Sequence, residues 1–170
     1  LGKFDDAIIC YEKVMDLKPD YEEAWNNKGF VLGCLGRYDE ALKCYDKAIE
    51  INYDYEVAWN NKGFALAALD RMQEAIECYD RAIQIKDDYA EAWNNKGNAL
   101  YNQGTIEEAL TCFDKAITIN PKYEKAWYNK GSALGSQHRY DEAITCYDKA
   151  IEAKSDYEKA WNNKGNALYN

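Results

Sequence analysis

Tryptophan recurs every 34 residues in this chain, at Trp25, Trp59, Trp93, Trp127 and Trp161. Trp25, Trp59, Trp93 and Trp161 each open the pentapeptide Trp-Asn-Asn-Lys-Gly, and Trp127 opens Trp-Tyr-Asn-Lys-Gly. A fixed period of this length means that one supersecondary unit is stacked on copies of itself, each burying a face that its neighbour completes. The chain is thereby constrained to a solenoid with a core extended along the stack, not closed around one centre.

Inside the period the apolar spacing is helical. Trp25, Gly29 and Leu32, widened by Ala24 and Val31, predict a helix A over 22–35. Gly36-Arg37 forms a turn, and Ala41, Leu42, Tyr45, Ala48 and Ile49 make the apolar stripe of a helix B over 38–51. Asp39 and Glu40 suit the start of that helix, where the dipole favours negative charge. Glycine costs helix propensity, yet Gly29 returns as Gly63, Gly97, Gly131 and Gly165, so close approach of a neighbour is expected there. Ala41 is expected to receive that approach, with Tyr45 filling the adjoining space. Complete pairs fall at 22–55, 56–89, 90–123 and 124–157, with half repeats at 1–21, striped by Ala7, Ile8, Tyr11 and Val14, and at 158–170. Leu1 is not an initiating residue, so residues 1–170 read as a single domain or a fragment of a longer chain.

Composition removes several function classes. A formal charge of -9 argues against nucleic acid or an anionic membrane surface as the partner. No apolar run approaches the ~20 residues of a membrane span, and no signal peptide is present, so the expected location is cytoplasmic. Cys10, Cys44, Cys78, Cys112 and Cys146 follow the repeat, and Cys34 is additional. Equivalent helices stand about 8–10 Å apart, beyond the ~7 Å limit for a disulfide, so these residues are expected to be structural thiols. His138, the sole histidine, falls in a predicted turn, and paired metal ligands are lacking. No phosphate-binding loop or nucleophile motif is present, so neither a metal, a cofactor nor an enzymatic activity is expected.

At this point the chain closely resembles the tetratricopeptide repeat (TPR) family, through Trp25, Gly29, Leu32, Ala41, Tyr45 and Ala48 and their recurrences. The resemblance implies an all-α solenoid of antiparallel helix pairs wound into a right-handed superhelix, with the A helices lining a concave groove. Two features depart from the family pattern. Lysine replaces the usual leucine before the glycine, at Lys28, Lys62, Lys96, Lys130 and Lys164, and is expected to pack its stem while its ammonium stays wet. Proline marks only two repeat junctions, at Pro19 and Pro121.

The resemblance also implies a noncatalytic scaffold whose groove binds a protein through an extended peptide or small structural element. The groove-facing candidates it assigns include Asn26, Phe30, Asn60, Phe64, Asn94, Asn98, Lys125, Tyr128, Asn162 and Asn166. A second row, Asn27, Asn61, Asn95, Asn129 and Asn163, offers amide donors and acceptors that would hold a peptide backbone, bond to neighbouring helices or face solvent. Phe30 and Phe64 would anchor a ligand beside acidic Glu23, or pack between helices. Lys125 and Lys159 would favour an acidic ligand group. The basic clamp that holds chaperone C-terminal carboxylates in some family members is absent, because asparagine, tyrosine, phenylalanine and serine occupy its positions. The tryptophans and the row Tyr21, Tyr55, Tyr89, Tyr123 and Tyr157 are expected to be buried packing residues. The alternative function is self-assembly, in which repeat ends stack on those of another copy through Tyr11, Val14 and Leu168.

Overall fold

The computed structural model describes residues 2–170, and among these residues the regular structure is ten α-helices. They form two compact units. The first, Leu1–Asp87, holds α1 (Gly2–Leu17), α2 (Glu22–Cys34), α3 (Tyr38–Ile51), α4 (Glu56–Ala68) and α5 (Met72–Ile85). The second, Asp88–Asn170, holds α6 (Ala90–Asn102), α7 (Ile106–Ile119), α8 (Glu124–Ser136), α9 (Tyr140–Ala153) and α10 (Glu158–Tyr169). Even-numbered helices are of type A and odd-numbered helices of type B. The predicted bounds agree, except that α2 ends one residue early because Leu35 serves as its C-cap.

Each A helix that is followed by a helix B ends in the same way. Arg37 N–H donates to the Leu32 carbonyl (2.9 Å), Arg71 to Leu66 (2.9 Å), Thr105 to Leu100 (3.0 Å) and Arg139 to Leu134 (3.1 Å). These are the six-to-one bonds of a Schellman motif, which requires a left-handed residue just before the donor. Gly36 and Gly104 meet the requirement, but Asp70 and His138 stand there at φ 62° and 61°. The imidazole is exposed, with Nδ1 2.7 Å from the Tyr140 hydroxyl. Since a side chain strains this conformation, His138→Gly is expected to stabilise the chain by about 0.5–1 kcal/mol, raising the melting midpoint by a few degrees. Asp70→Gly is expected to do less, because aspartate tolerates the left-handed region.

The glycine row does mark a close approach, but the partner differs from expectation. A Cβ on Gly29 would lie 2.7 Å from the Tyr45 ring, on Gly63 2.6 Å from Tyr79, on Gly97 2.6 Å from Phe113 and on Gly131 2.7 Å from Tyr147. The aromatic ring of helix B makes the nearest contact with the glycine in each of these four repeats. At Gly131 the alanine backbone is among the nearest atoms as well, with Ala143 O 3.2 Å away. Gly165 meets nothing within 4 Å, because no helix B follows α10 among the described residues.

The tryptophans also depart from expectation. Trp25, Trp59, Trp93 and Trp127 are only half-buried, and Trp161 is exposed. The indole Nε1–H of Trp25, Trp59, Trp127 and Trp161 donates to the backbone carbonyl six residues earlier, at Pro19, Tyr53, Pro121 and Ser155, over 2.9–3.0 Å. The constant spacing therefore ties each of those inter-repeat turns to its A helix while one ring face covers the core. Trp25, Tyr55 and Trp59 pack in this way on Ala48, Ile49 and Ala58. The boundary tyrosines behave similarly: Tyr55, Tyr89, Tyr123 and Tyr157 are half-buried and Tyr21 is exposed.

The lysine row is not simply hydrated. Lys28 Nζ lies 2.7 Å from Glu12, Lys62 2.6 Å from Asp46, Lys130 2.6 Å from Asp114 and Lys164 2.6 Å from Asp148. Each pair links an A helix to the preceding B helix. Partial exposure limits each to about 0.5–1 kcal/mol, but the recurrence joins successive repeats within a unit by the same contact.

All six cysteines are thiols: Cys44, Cys78, Cys112 and Cys146 are buried, and Cys10 and Cys34 are exposed. Burial pushes the Cys78 and Cys146 thiols up to about 11. Two fast-reacting thiols, Cys10 and Cys34, are therefore expected in a native titration with a disulfide reagent, with the remaining four reacting only as the chain opens. Rapid modification of Cys78 or Cys146 in the folded chain would contradict that assignment.

Candidate peptide-binding face

The A helices carry both asparagine rows, and the structure gives the two rows different environments. Asn26, Asn60 and Asn94 are buried at 3 %, 1 % and 2 % exposure, whereas Tyr128 is half-buried and Asn162 exposed. Of the second row, Asn27 is exposed and Asn61, Asn95, Asn129 and Asn163 are half-buried. Buried amides require partners, and the second row supplies them. Asn61 Nδ2 donates to Asn26 Oδ1 at 3.0 Å, and Asn129 Nδ2 donates to Asn94 Oδ1 at 2.8 Å. Asn163 makes the corresponding bond to the Tyr128 hydroxyl at 3.2 Å. Consecutive A helices are thereby bridged inside each unit.

That bridging leaves part of the amide inventory open. Asn26 Nδ2 donates to Asn27 Oδ1 at 3.3 Å, which leaves the NH₂ of the exposed Asn27 side chain unused by that bond. Asn61 spends one N–H on Asn26 and keeps its carbonyl oxygen as an acceptor. The Asn27 NH₂ on α2 and the Asn61 Oδ1 on α4 are thus not used by the bridge.

Phe30 and Phe64, at the same register of α2 and α4, are 56 % and 58 % exposed, so they do not pack between helices. Glu23, two turns before Phe30, is half-buried, and its Oε2 is shut off from solvent without a hydrogen-bond donor. The equivalent positions in the second unit are polar. Asn98 and Ser132 are half-buried, and Asn166 and Lys125 are exposed. Tyr128 stacks at a tilt against Tyr157 (5.2 Å) and Tyr147 (6.0 Å), and burial pushes both of those phenols up. A cleft of about 300 Å³ opens nearby, lined by Tyr101, Ser132, Tyr140, Tyr147, Asn163 and Asn166, among others.

Sequence reasoning missed the burial of the Asn26 row, the unmet Glu23 oxygen and the part played by Tyr140 in the cleft. Only the first left a trace: asparagine persists beside the recurring Ala24, Ala58 and Ala92, which are 0–2 % exposed. No cluster of metal-ligating side chains occurs among the described residues. None of their helices is long and apolar enough to cross a membrane.

Comparison with known proteins matches the tetratricopeptide repeat family model at residues 22–52, 90–123 and 124–157. The chain belongs to the tetratricopeptide repeat family. A related TPR repeat model matches 66–104, and another tetratricopeptide repeat model matches 1–21. No curated protein matches the chain. Among solved structures, the TPR chain is similar to MamA, with 28% identity over 93% of this chain and 92% of that one and a TM-score of 0.78. It is also similar to YrrB, described as a TPR protein with an unusual peptide-binding site, with 25% identity over 96% and 84% of the two chains and a TM-score of 0.75. TTC0263, a thermophilic TPR protein of Thermus thermophilus, shares the fold, with a TM-score of 0.85 at 20% identity over 100% and 93% of the two chains.

Proposed function

We propose that this TPR chain is a noncatalytic scaffold that holds an extended segment of a partner protein across its A helices. The observation that carries the reading is the open amide pair, Asn27 NH₂ and Asn61 Oδ1, beside exposed Phe30 and Phe64. A peptide backbone presents an acceptor and a donor at each residue, which such a pair matches independently of side chains, while the phenyl rings supply apolar contact. YrrB, similar over most of its length, is itself described as having a peptide-binding site.

The test is a random-peptide screen against the wild-type chain and the Phe30→Ala, Phe64→Ala and Asn27→Ala variants. The Phe30 and Phe64 rings are exposed, so those two variants are expected to keep folding stability within about 0.5 kcal/mol, whereas Asn27→Ala removes the acceptor of the buried Asn26 amide and is expected to cost about 1 kcal/mol. Peptide affinity is expected to fall at least about tenfold for either phenylalanine variant. Binding that survives all three substitutions would place the partner surface elsewhere.

A second reading, end-to-end association of the 170-residue chain, is favoured by the open face of α10. Trp161 is 53 % exposed, Leu168 is exposed, and Gly165 meets no ring. Tyr11 on α1 stands one period before Tyr45 and is the ring that would fit. Association that rises with concentration in sedimentation velocity, and is reduced by Tyr11→Ser or Leu168→Ser, is its expected signature. Loss of association on adding a helix B after residue 170 would assign it to the uncovered face.

A further inference from the structure

We infer that the α2–α4 face selects a polyproline-type segment with two apolar side chains three residues apart and a lysine or arginine beside the first. The inference rests on the groove reading above and names its ligand class. Phe30 and Phe64 occupy equivalent positions 34 residues apart, on adjacent helices bridged by the Asn61–Asn26 bond. Packed helices lie about 8–10 Å apart. A polyproline II strand rises about 3.1 Å per residue with three residues per turn, so positions i and i+3 return to the same face after about 9 Å. A β-strand returns to one face after about 7 Å or 13–14 Å and misses that spacing. Because polyproline II makes no internal hydrogen bonds, its backbone groups remain available to Asn27 and Asn61.

Charge fixes the third element. Glu23 lies on the same face of α2 as Phe30, about 10 Å along the axis, whereas the equivalent place on α4 is Val57. The neighbouring carboxylates are already engaged: Glu22 accepts from Asn52 at 2.9 Å, and Glu56 lies 3.8 Å from Lys86 Nζ. Glu23 has no such partner, and its Oε2 meets no donor. A cationic side chain on the ligand supplies the opposite charge that this half-buried carboxylate lacks.

The experiment measures fluorescence anisotropy of labelled peptides against the 170-residue chain. The probe contains Lys-Leu-Pro-Pro-Leu. Controls replace lysine with glutamate, or shorten the leucine spacing by removing one proline. A random-peptide pool is screened in parallel. The expected result is saturable binding of the probe, weakened about tenfold or more by either control and by Phe30→Ala or Phe64→Ala. Glu23→Gln is expected to weaken the lysine probe while reducing its advantage over the glutamate control. Equal affinity for lysine and glutamate probes, or for both spacings, overturns the assigned class. Pool peptides that need Phe30 and Phe64 but follow another pattern also overturn it, while leaving the groove reading intact. If neither the probe nor any pool peptide binds, both readings fall together.

Discussion

Truncating Phe113 to alanine is expected to lower stability by about 3–5 kcal/mol, as the loss of a buried phenyl group does in a packed core. Its ring is 1 % exposed and lies where a Cβ on Gly97 would stand, 2.6 Å from Cε1. Gly97→Ala alone combines an overpacking cost of about 1–3 kcal/mol with a helix-propensity gain near 1 kcal/mol. The net expectation is destabilisation by about 0–2 kcal/mol. In the Phe113→Ala background the added methyl enters vacated space, so the same substitution is expected to become stabilising by up to about 1 kcal/mol. The resulting coupling of about 2 kcal/mol is readable in a double-mutant cycle. Gly165→Ala is the control: it meets nothing within 4 Å and is expected only to gain helix propensity. Urea unfolding, paired with hydrogen exchange of α6 and α7 amides, makes the measurement without assuming that a repeat array melts all at once. Additive effects at positions 97 and 113 would refute the contact.

The tryptophan period and the helical stripes made the ten helices legible because both are local patterns that recur along the chain. The glycine row was legible as a close approach for the same reason. What pressed on it was not, since spacing along helix B leaves both Ala41 and Tyr45 pointing broadly inward and only the packed ring decides between them. Tryptophan illustrates a different limit. Its recurrence fixed its position, but an indole presents both an apolar face and an N–H donor, and the carbonyl six residues back becomes its acceptor only once the turn has folded. At the lysine row the departure from leucine was visible, whereas the carboxylate 16 residues earlier required the packing of helix B against the next helix A.

The candidate face divides along the same line. Phe30 and Phe64 could be named from register, but their exposure depended on what the neighbouring helices left uncovered. Asparagine-asparagine pairs at 26–27 and 94–95 read as equivalent in the sequence. Helix geometry separates the two members of a pair by about 100°, which sends the first amide into the interface and leaves the second at its edge. Asn61, Asn129 and Asn163 of the second row therefore bridge helices from the edge of the interface. A linear pattern cannot show that division, because it depends on the distance between helices.

The burial of the first row has a consequence that pH can expose. Asn94→Asp is expected to destabilise the chain by about 2–4 kcal/mol near neutral pH, because it introduces an anion at a 2 % exposed position. Asn129 Nδ2, 2.8 Å from the native carbonyl oxygen, can still donate to the carboxylate. The atom replacing Asn94 Nδ2, however, faces Asn95 Oδ1 across a native separation of 3.4 Å, so two acceptors oppose each other. Protonation restores a donor there and removes the buried charge. Desolvation should thus raise the folded-state pKa of the new carboxyl above its unfolded value of about 3.9. The penalty is then small below that unfolded pKa, grows as pH rises, and levels off above the folded pKa, at about pH 5.5–7 for a penalty of this size. Asn162→Asp supplies the matched comparison, since Asn162 makes the same 3.4 Å bond to Asn163 but is exposed. Its expected cost is within about 0.5 kcal/mol, with little change across the same range. Urea denaturation of both variants between about pH 4 and 8 distinguishes the two environments: parallel, flat profiles would mean that water reaches Asn94 and that its bond to Asn129 does not close a dry interface.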